Sequence, residues 1–324
     1  MSLIGEIRKP VETEIKGFES HFRSSMKSKI PLVNIITNYL LRHKGKQIRP
    51  LFVFLTAKMI GTVNSSTFTA ASLIELLHTA SLIHDDVVDD ANERRGYFSI
   101  NALWKSKVAV LLGDYLLAQG LLLAVRENEY ELLRIVSDAV REMSEGELLQ
   151  IQRSRSLSIS QIDYFDIIRK KTATLIAACT ACGARSVNAG TDVIEKLRLF
   201  GENIGIAFQI KDDLFDYQKH GIIGKPTGND LKEKKFTLPL IYALENSSGN
   251  ERNRIIGLIR KQNHNHQKIN DVIDFTIRNN GLRYAEQKML EYKDQAIELI
   301  SEYPMNEAKE SLIKLVNFTI ERKN

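Results

Sequence analysis

Two short runs of this 324-residue chain hold residues whose type and spacing fit chemistry: Leu82-Ile-His-Asp-Asp-Val-Val-Asp-Asp-Ala91 and, far downstream, Gln209-Ile-Lys-Asp-Asp-Leu-Phe-Asp-Tyr217. Each sets three aspartates at i, i+1 and i+4 behind an apolar helical stretch: Asp85, Asp86 and Asp89, then Asp212, Asp213 and Asp216. On a helix the first and third carboxylates of such a set share a face, and the middle one lies about 100° round. Carboxylates gathered on apolar helices are costly unless cations neutralise them, and oxygen-only ligands suit a hard divalent ion such as Mg²⁺. Because Mg²⁺ keeps part of its octahedron for water and phosphate oxygens, two such walls fit a site that a substrate diphosphate completes. One run alone reads equally well as an exposed acidic helix end. Two copies in like contexts point to the clamp.

Basic residues near these runs match a phosphate. In His43-Lys-Gly-Lys-Gln-Ile-Arg-Pro50, Gly45 can stop a helix and Pro50 can sit in the first turn of the next, so Lys46 and Arg49 are shown at a helix junction. His78 precedes Asp85 by two helical turns on nearly the same face and is a donor for a phosphate, whereas His84 reads as a core histidine. Arg94 and Arg95 follow the first acidic run; guanidinium forks bind phosphate in two-pronged fashion, although both could simply pair with Asp89 and Asp90. Lys225 lies in a glycine-rich segment suited to closing over a ligand. Cys179 and Cys182 form a C-x-x-C, but in a run of small helical residues that favours packing over redox or metal use.

The elements that must position these groups are helices. Apolar residues recur at three- and four-residue spacing almost throughout, as in Leu132-Leu-Arg-Ile-Val-Ser-Asp-Ala-Val140, and alternating strand patterns are hard to find. The spacing predicts helices over about 11–43 (two, the second from Pro31), 67–91, 100–126, 130–153 and 163–188, then one carrying Gln209 and the second acidic run, and amphipathic helix from 237 to 324. With 6 prolines, 18 glycines and no linker or low-complexity tract, residues 1–324 read as one domain, an all-α multi-helix bundle with its site in the core. The net charge of +5 and pI of about 9.0 leave nucleic acid, anionic membrane or a polyphosphate as partners. No zinc-finger spacing or basic zipper occurs, so nucleic acid is the weakest of these. No apolar run is read as long enough for a membrane span and residues 1–10 lack a signal-peptide core, which predicts a cytoplasmic protein without stable membrane insertion.

Taken in order, Gly45-Lys-Gln-Ile-Arg-Pro50, His78, Asp85-Asp-Val-Val-Asp89, Arg94-Arg-Gly96, Gly113-Asp114, Lys171-Thr172, Gln209, Asp212-Asp-Leu-Phe-Asp216, Gly224-Lys-Pro226 and Gly228-Asn-Asp-Leu-Lys-Glu-Lys-Lys-Phe-Thr-Leu-Pro239 closely resemble the trans-type isoprenyl (polyprenyl) diphosphate synthases. The resemblance implies the isoprenoid synthase fold, helices around a deep central cavity, in a homodimer, with three Mg²⁺ ions bridging both aspartate sets to an allylic diphosphate. It further implies that Lys46, Arg49, His78 and Arg95 hold isopentenyl diphosphate, that Arg94, Lys171, Lys225 and Lys235 help hold the allylic diphosphate, and that Thr172 and Gln209 lie near the reacting carbons. Where the family commonly has Glu-Gly-Lys before Thr-Leu-Pro, this chain has Lys234 in the glycine's place, and the phosphate role is assigned to Lys235.

The expected activity is Mg²⁺-dependent condensation of an allylic diphosphate, such as farnesyl diphosphate, with successive isopentenyl diphosphates. Ionisation of the allylic carbon–oxygen bond leaves a delocalised cation that the second alkene attacks. In this family product length follows cavity depth below the first aspartate set. Ala80 and Ser81, five and four positions before Asp85, are small where short-chain members carry aromatic plugs, so a long-chain, octaprenyl-type product for a quinone side chain is expected. Leu77 and Leu73, one and two turns deeper, with Leu132, Leu133 or Val136 from a facing helix, are candidate floors. The rival readings are a geranylgeranyl-type synthase, a terpene cyclase and a non-catalytic subunit of a heteromeric prenyltransferase; both full aspartate sets count against the last two.

Overall fold

The computed structural model describes residues 3–43, 45–94, 96–156, 160–217, 229–232, 235–260 and 266–321. Apart from a two-residue antiparallel hairpin, Glu93–Arg94 with Tyr97–Phe98, the regular elements described are helical. The chain divides into two compact units, one made of Met1–Val140, Ile176–Arg198 and Glu302–Leu315, the other of Arg141–Leu175, Leu199–Ser301 and Val316–Asn324.

The first unit is built on the helix Ser65–Val88. Its middle, Ala70 to Ile74 with Leu76 and Leu77, is buried on all sides, as a helix enclosed by others must be. Asn64 starts it with a capping box: its side chain accepts from Thr67 N at 3.2 Å, and Thr67 Oγ1 accepts from Asn64 N at 3.3 Å. The Asn64 amide also donates to Ser186 O at 2.9 Å, tying this end to the helix Thr174–Ser186. Ile48–Ile60 packs beside it, close to Thr174–Ser186, because Gly183 lets Val53 O approach to 2.6 Å of where a side chain would begin.

The helix Ile100–Arg126 runs along Ser65–Val88 and is broken at Lys105 (φ 69°, ψ 160°). Leu112, Leu116 and Gly120 face inward, whereas Leu103, Val110, Leu111, Leu121, Leu122 and Val125 are exposed. By length and composition this helix is apolar enough to cross a membrane, with 33% of its most apolar stretch buried, which corrects the expectation that no apolar run reaches that length. Charges near both helix ends disguise the long run between Lys107 and Arg126, which only Asp114 interrupts.

In the second unit, Leu238–Glu245 is almost wholly buried and packs on Gly281–Leu299, where Gly281 leaves room for the Pro239 carbonyl. The expected helix over 163–188 is three pieces: Gln161–Ile168, a π turn Arg169–Ala173 and Thr174–Ser186. Ser160 begins the first piece with a capping box to Asp163, whose carboxylate also meets Arg153 at 2.8 Å. Both aspartate-bearing helices end sooner than expected. Ser65–Val88 stops one residue before Asp89, and Thr191–Phe215 one residue before Asp216.

The cap at Asn64 gives a stability test. Asn64→Ala removes the side-chain acceptor of the helix start and one long-range hydrogen bond, and costs about 1–2 kcal/mol. A urea titration followed by circular dichroism measures this as a lowered midpoint with an unchanged slope.

Candidate active site

Asp85 and Asp89 are exposed at the end of Ser65–Val88, while Asp86, between them, is 3% exposed. Asp89 N still donates to Asp85 O at 2.8 Å, so the three keep near-helical spacing although the helix has ended. Carboxylates there face the negative end of the helix dipole, which sharpens the need for a positive partner. Arg94 supplies one: its Nε and Nη2 reach Asp86 Oδ1 at 2.8 and 2.7 Å. The alternative pairing of Arg94 with Asp89 or Asp90 is thus replaced by pairing with Asp86, because the hairpin turns the chain back over the helix end; Gly96 at φ 77° makes that turn. Arg95 lies outside the described residues.

A cavity of about 100 Å³ opens beside this carboxylate, walled by Glu75, His78 and Asp86 from the long helix, Gly45 and Gln47 from the junction, and Arg94 from the hairpin. His78, Asp86, Arg94 and the junction segment, predicted separately, therefore meet at one place. Lys46 is exposed on that segment, its carbonyl held by Arg8 Nη2 at 2.6 Å, and Arg49 is half-buried. The chain-length positions fall on other faces: Ala80 is buried, Ser81 Oγ donates to His78 O at 2.9 Å, and Leu77 packs near Gly120. None of the three lines this cavity. His84, expected to be a core histidine, is instead half-exposed, seated where Gly113 leaves space and 3.4 Å from Asp114.

In the second unit, Asp213 is 5% exposed, with Asp212 and Asp216 half-buried on either side. Asp213 accepts from Tyr164 Oη at 2.6 Å and from Gln209 Nε2 at 2.9 Å. Gln209 Oε1 accepts in turn from Thr172 Oγ1 at 2.8 Å, so one chain of hydrogen bonds joins Thr172, Gln209, Asp213 and Tyr164. Lys171 Nζ lies 2.5 Å from Glu147 and donates to Gln150 Oε1 at 3.4 Å. Asp216 accepts from Asp230 N at 3.1 Å, and Asp230 O accepts from Lys235 N at 2.8 Å, which ties the segment bearing Lys235 to the second aspartate set. Lys225 and Lys234 lie outside the described residues.

Tyr164, Glu147 and Gln150 are members of this site that motif reading passed over. Tyr164 stands seven positions before Lys171, two turns back, and that periodicity was its only signal. Cys179 and Cys182 are fully buried and unbridged, and burial pushes the Cys179 thiol up to about 12, as a packing role requires.

Burial pushes the Asp213 carboxyl up to about 7, with the nearby Asp230 and Asp212 charges acting the same way and the Tyr164 and Gln209 hydrogen bonds opposing. Among the described residues no three His, Cys, Asp or Glu side chains are already gathered as a cage. Each set is nonetheless of the kind a hard cation takes, carboxylate oxygens at a helix end, and in the second set Asp213 is relieved of its charge by holding a proton. Between pH 3.8, the ordinary value, and about 7, the unfolded chain releases the Asp213 proton while the metal-free fold keeps it, so stability falls as pH rises through that window and then levels. Asp213→Asn removes the penalty. It raises the urea midpoint of the metal-free protein, more at pH 8 than at pH 5.

The fold has counterparts. Residues 30–276 match the polyprenyl synthetase family. The chain is 32% identical to octaprenyl diphosphate synthase of Haemophilus influenzae, over 98% of this chain and 97% of that one. Among solved structures, a polyprenyl synthase from Caulobacter crescentus complexed with calcium and isoprenyl diphosphate superposes with a TM-score of 0.88 at 33% identity, covering 99% of this chain and 98% of that one. A geranylgeranyl pyrophosphate synthase from Bacteroides thetaiotaomicron superposes at 0.84 with 38% identity, covering 99% and 100%. Helical architecture, paired aspartate sets and full-length similarity agree: the chain belongs to the polyprenyl synthetase family and is a trans polyprenyl diphosphate synthase, a prenyltransferase.

Proposed function

We propose that residues 1–324 act as one catalytic domain that extends an allylic diphosphate, such as farnesyl diphosphate, with successive isopentenyl diphosphates to a long-chain all-trans product of octaprenyl type, a quinone side-chain precursor. The observation that carries this reading is the like construction of the two aspartate sets: each closes a helix, each buries its middle carboxylate, and each leaves the outer ones accessible. Asp85, Asp86, Asp89, Asp212, Asp213 and Asp216 would hold Mg²⁺, three ions when substrate is present. Bound Mg²⁺ supplies positive charge that stabilises the departing diphosphate.

The chain's own cations do the rest of the phosphate work. Arg94 and Lys171 rest on carboxylates, Asp86 and Glu147, and a diphosphate would draw them off. Lys46, Arg49, His78 and Arg95 are assigned to isopentenyl diphosphate, and Lys225 and Lys235 join Arg94 and Lys171 on the allylic partner. Thr172 and Gln209, fixed by their mutual hydrogen bond, border the reacting carbons and help keep out water that would capture the cation. Ala80, Ser81 and Leu77 are the assigned gauge of chain length.

The enzyme is further assigned to the cytoplasm as a homodimer. Six exposed aliphatic side chains along Ile100–Arg126 support the homodimer, since a second copy covering them would remove a water-exposed apolar face. Leu111→Glu with Leu122→Glu is expected to halve the mass seen by sedimentation; an unchanged mass rejects this helix as the dimer face.

The test of the activity is incubation with farnesyl diphosphate, excess isopentenyl diphosphate and Mg²⁺, with chromatographic sizing of the dephosphorylated products. A ladder ending in one long prenol is expected, and Ser81→Phe shortens it. A single extension gives the geranylgeranyl-type reading, a cyclic hydrocarbon the cyclase reading, and no reaction without an added subunit the heteromeric one.

A further inference from the structure

The π turn Arg169–Ala173 holds Lys171 and Thr172, and its geometry needs a cause, because the sequence Arg-Lys-Lys-Thr-Ala has no glycine or proline to interrupt a helix. The turn is wide: the Thr174 amide reaches back five residues to Arg169 O. Two glycines press on it. At Gly146, in the helix Tyr130–Ser156, a side-chain carbon would lie 2.8 Å from Lys171 N and 2.8 Å from Lys170 Cβ. At Gly205, in the helix Thr191–Phe215, it would overlap Ala173 Cα and lie 2.8 Å from Ala173 Cβ. These neighbours are largely main chain, which cannot rotate aside as a flexible side-chain tip would. Both glycines occupy helix interiors, where alanine would be the stabler choice were space available.

The partners of the turn's side chains follow from the same two contacts. Gly146-Glu-Leu-Leu-Gln150 and Gly205-Ile-Ala-Phe-Gln209 are one pattern, Gly-x-x-x-Gln, used twice. In a helix the glutamine stands one turn above the glycine on the same face. Accordingly Gln150 accepts from Lys171 Nζ at 3.4 Å and Gln209 accepts from Thr172 Oγ1 at 2.8 Å, while Glu147, next to the first glycine, meets Lys171 Nζ at 2.5 Å. Each glycine brings its helix close enough for the glutamine one turn on to reach one of two consecutive reactive side chains.

We infer that Gly146 and Gly205 are positioning residues: a paired Gly-x-x-x-Gln brace that holds the π turn and thereby sets where Lys171 and Thr172 are presented to substrate. The inference rests on the proposed roles of Lys171 and Thr172, and the brace itself can be tested apart from them. Small displacements of such groups are expensive, about 100-fold in rate for an ångström.

The experiment compares Gly146→Ala and Gly205→Ala with wild type and with Gly257→Ala, a helical glycine whose added carbon meets nothing within 4 Å. Steady-state kinetics with farnesyl and isopentenyl diphosphates, thermal melting, and hydrogen exchange of the 169–174 amides are read on each full-length protein. The expected result is a kcat loss of about 100-fold in both brace variants at temperatures where they remain folded. The KM for isopentenyl diphosphate stays near wild type, amide exchange at 169–174 quickens, and Gly257→Ala is unaffected. Ala173→Gly added to Gly205→Ala removes the methyl 2.8 Å away and recovers part of the loss. Unchanged kcat and exchange, or a kcat loss that merely tracks the unfolded fraction, overturns the brace. If Gly205→Ala does not fold, Gly146→Ala decides by the same criteria. If wild type proves inert with every allylic starter, the functional reading has failed, and exchange at 169–174 alone decides: faster in the variants upholds the brace, unchanged rejects it.

Discussion

Carboxylates set side by side at the C-terminal ends of helices repel one another and oppose the helix dipole, and the local structure around both aspartate sets answers that repulsion. The two sets answer it differently. Around Asp86 the chain uses a hairpin to turn a permanent cation, Arg94, back onto the buried oxygen. Around Asp213 it supplies only neutral donors, Tyr164 and Gln209, so burial is met by a carboxyl that holds its proton to about pH 7. The first set is compensated by charge within the chain, the second by a proton that a metal ion can displace.

The same logic governs the cations. Lys171 rests on Glu147 and Arg94 on Asp86, each half-exposed on one side and held on the other. The Lys171–Glu147 pair, half-exposed on both sides, contributes little to stability, whereas Arg94 offsets the charge of a carboxylate that is 3% exposed. A site that must take up a highly charged ligand and later release it gains from cations that are oriented beforehand.

Much of this was legible in the sequence. The helices from Glu12 to Ser25, Pro31 to Arg42 and Ser65 to Val88 show in their apolar periodicity, and the acidic sets declare themselves by spacing alone. What was not legible came from contacts between distant segments. Nothing in Arg169-Lys-Lys-Thr-Ala173 encodes a π turn, because Gly146 and Gly205 lie on other helices. The partner of Arg94 depends on a two-residue hairpin too short for any pattern, and Tyr164 reaches Asp213 across 49 positions. The apolar length of Ile100–Arg126 does not show which face is inward, since Leu103, Leu111, Leu121 and Leu122 are exposed while Leu112 and Leu116 are buried.

Each compact unit is stitched from three stretches far apart in the chain, and the final stretch of each lies beyond residue 300. On a ribosome, therefore, neither unit is complete until residues beyond 300 have emerged. Until then the nascent polypeptide carries long apolar helices, Ile100–Arg126 among them, without their full set of neighbours. Proteins of this build reach their working form late, and their vulnerable interval is set by the time of synthesis more than by the rate of helix formation.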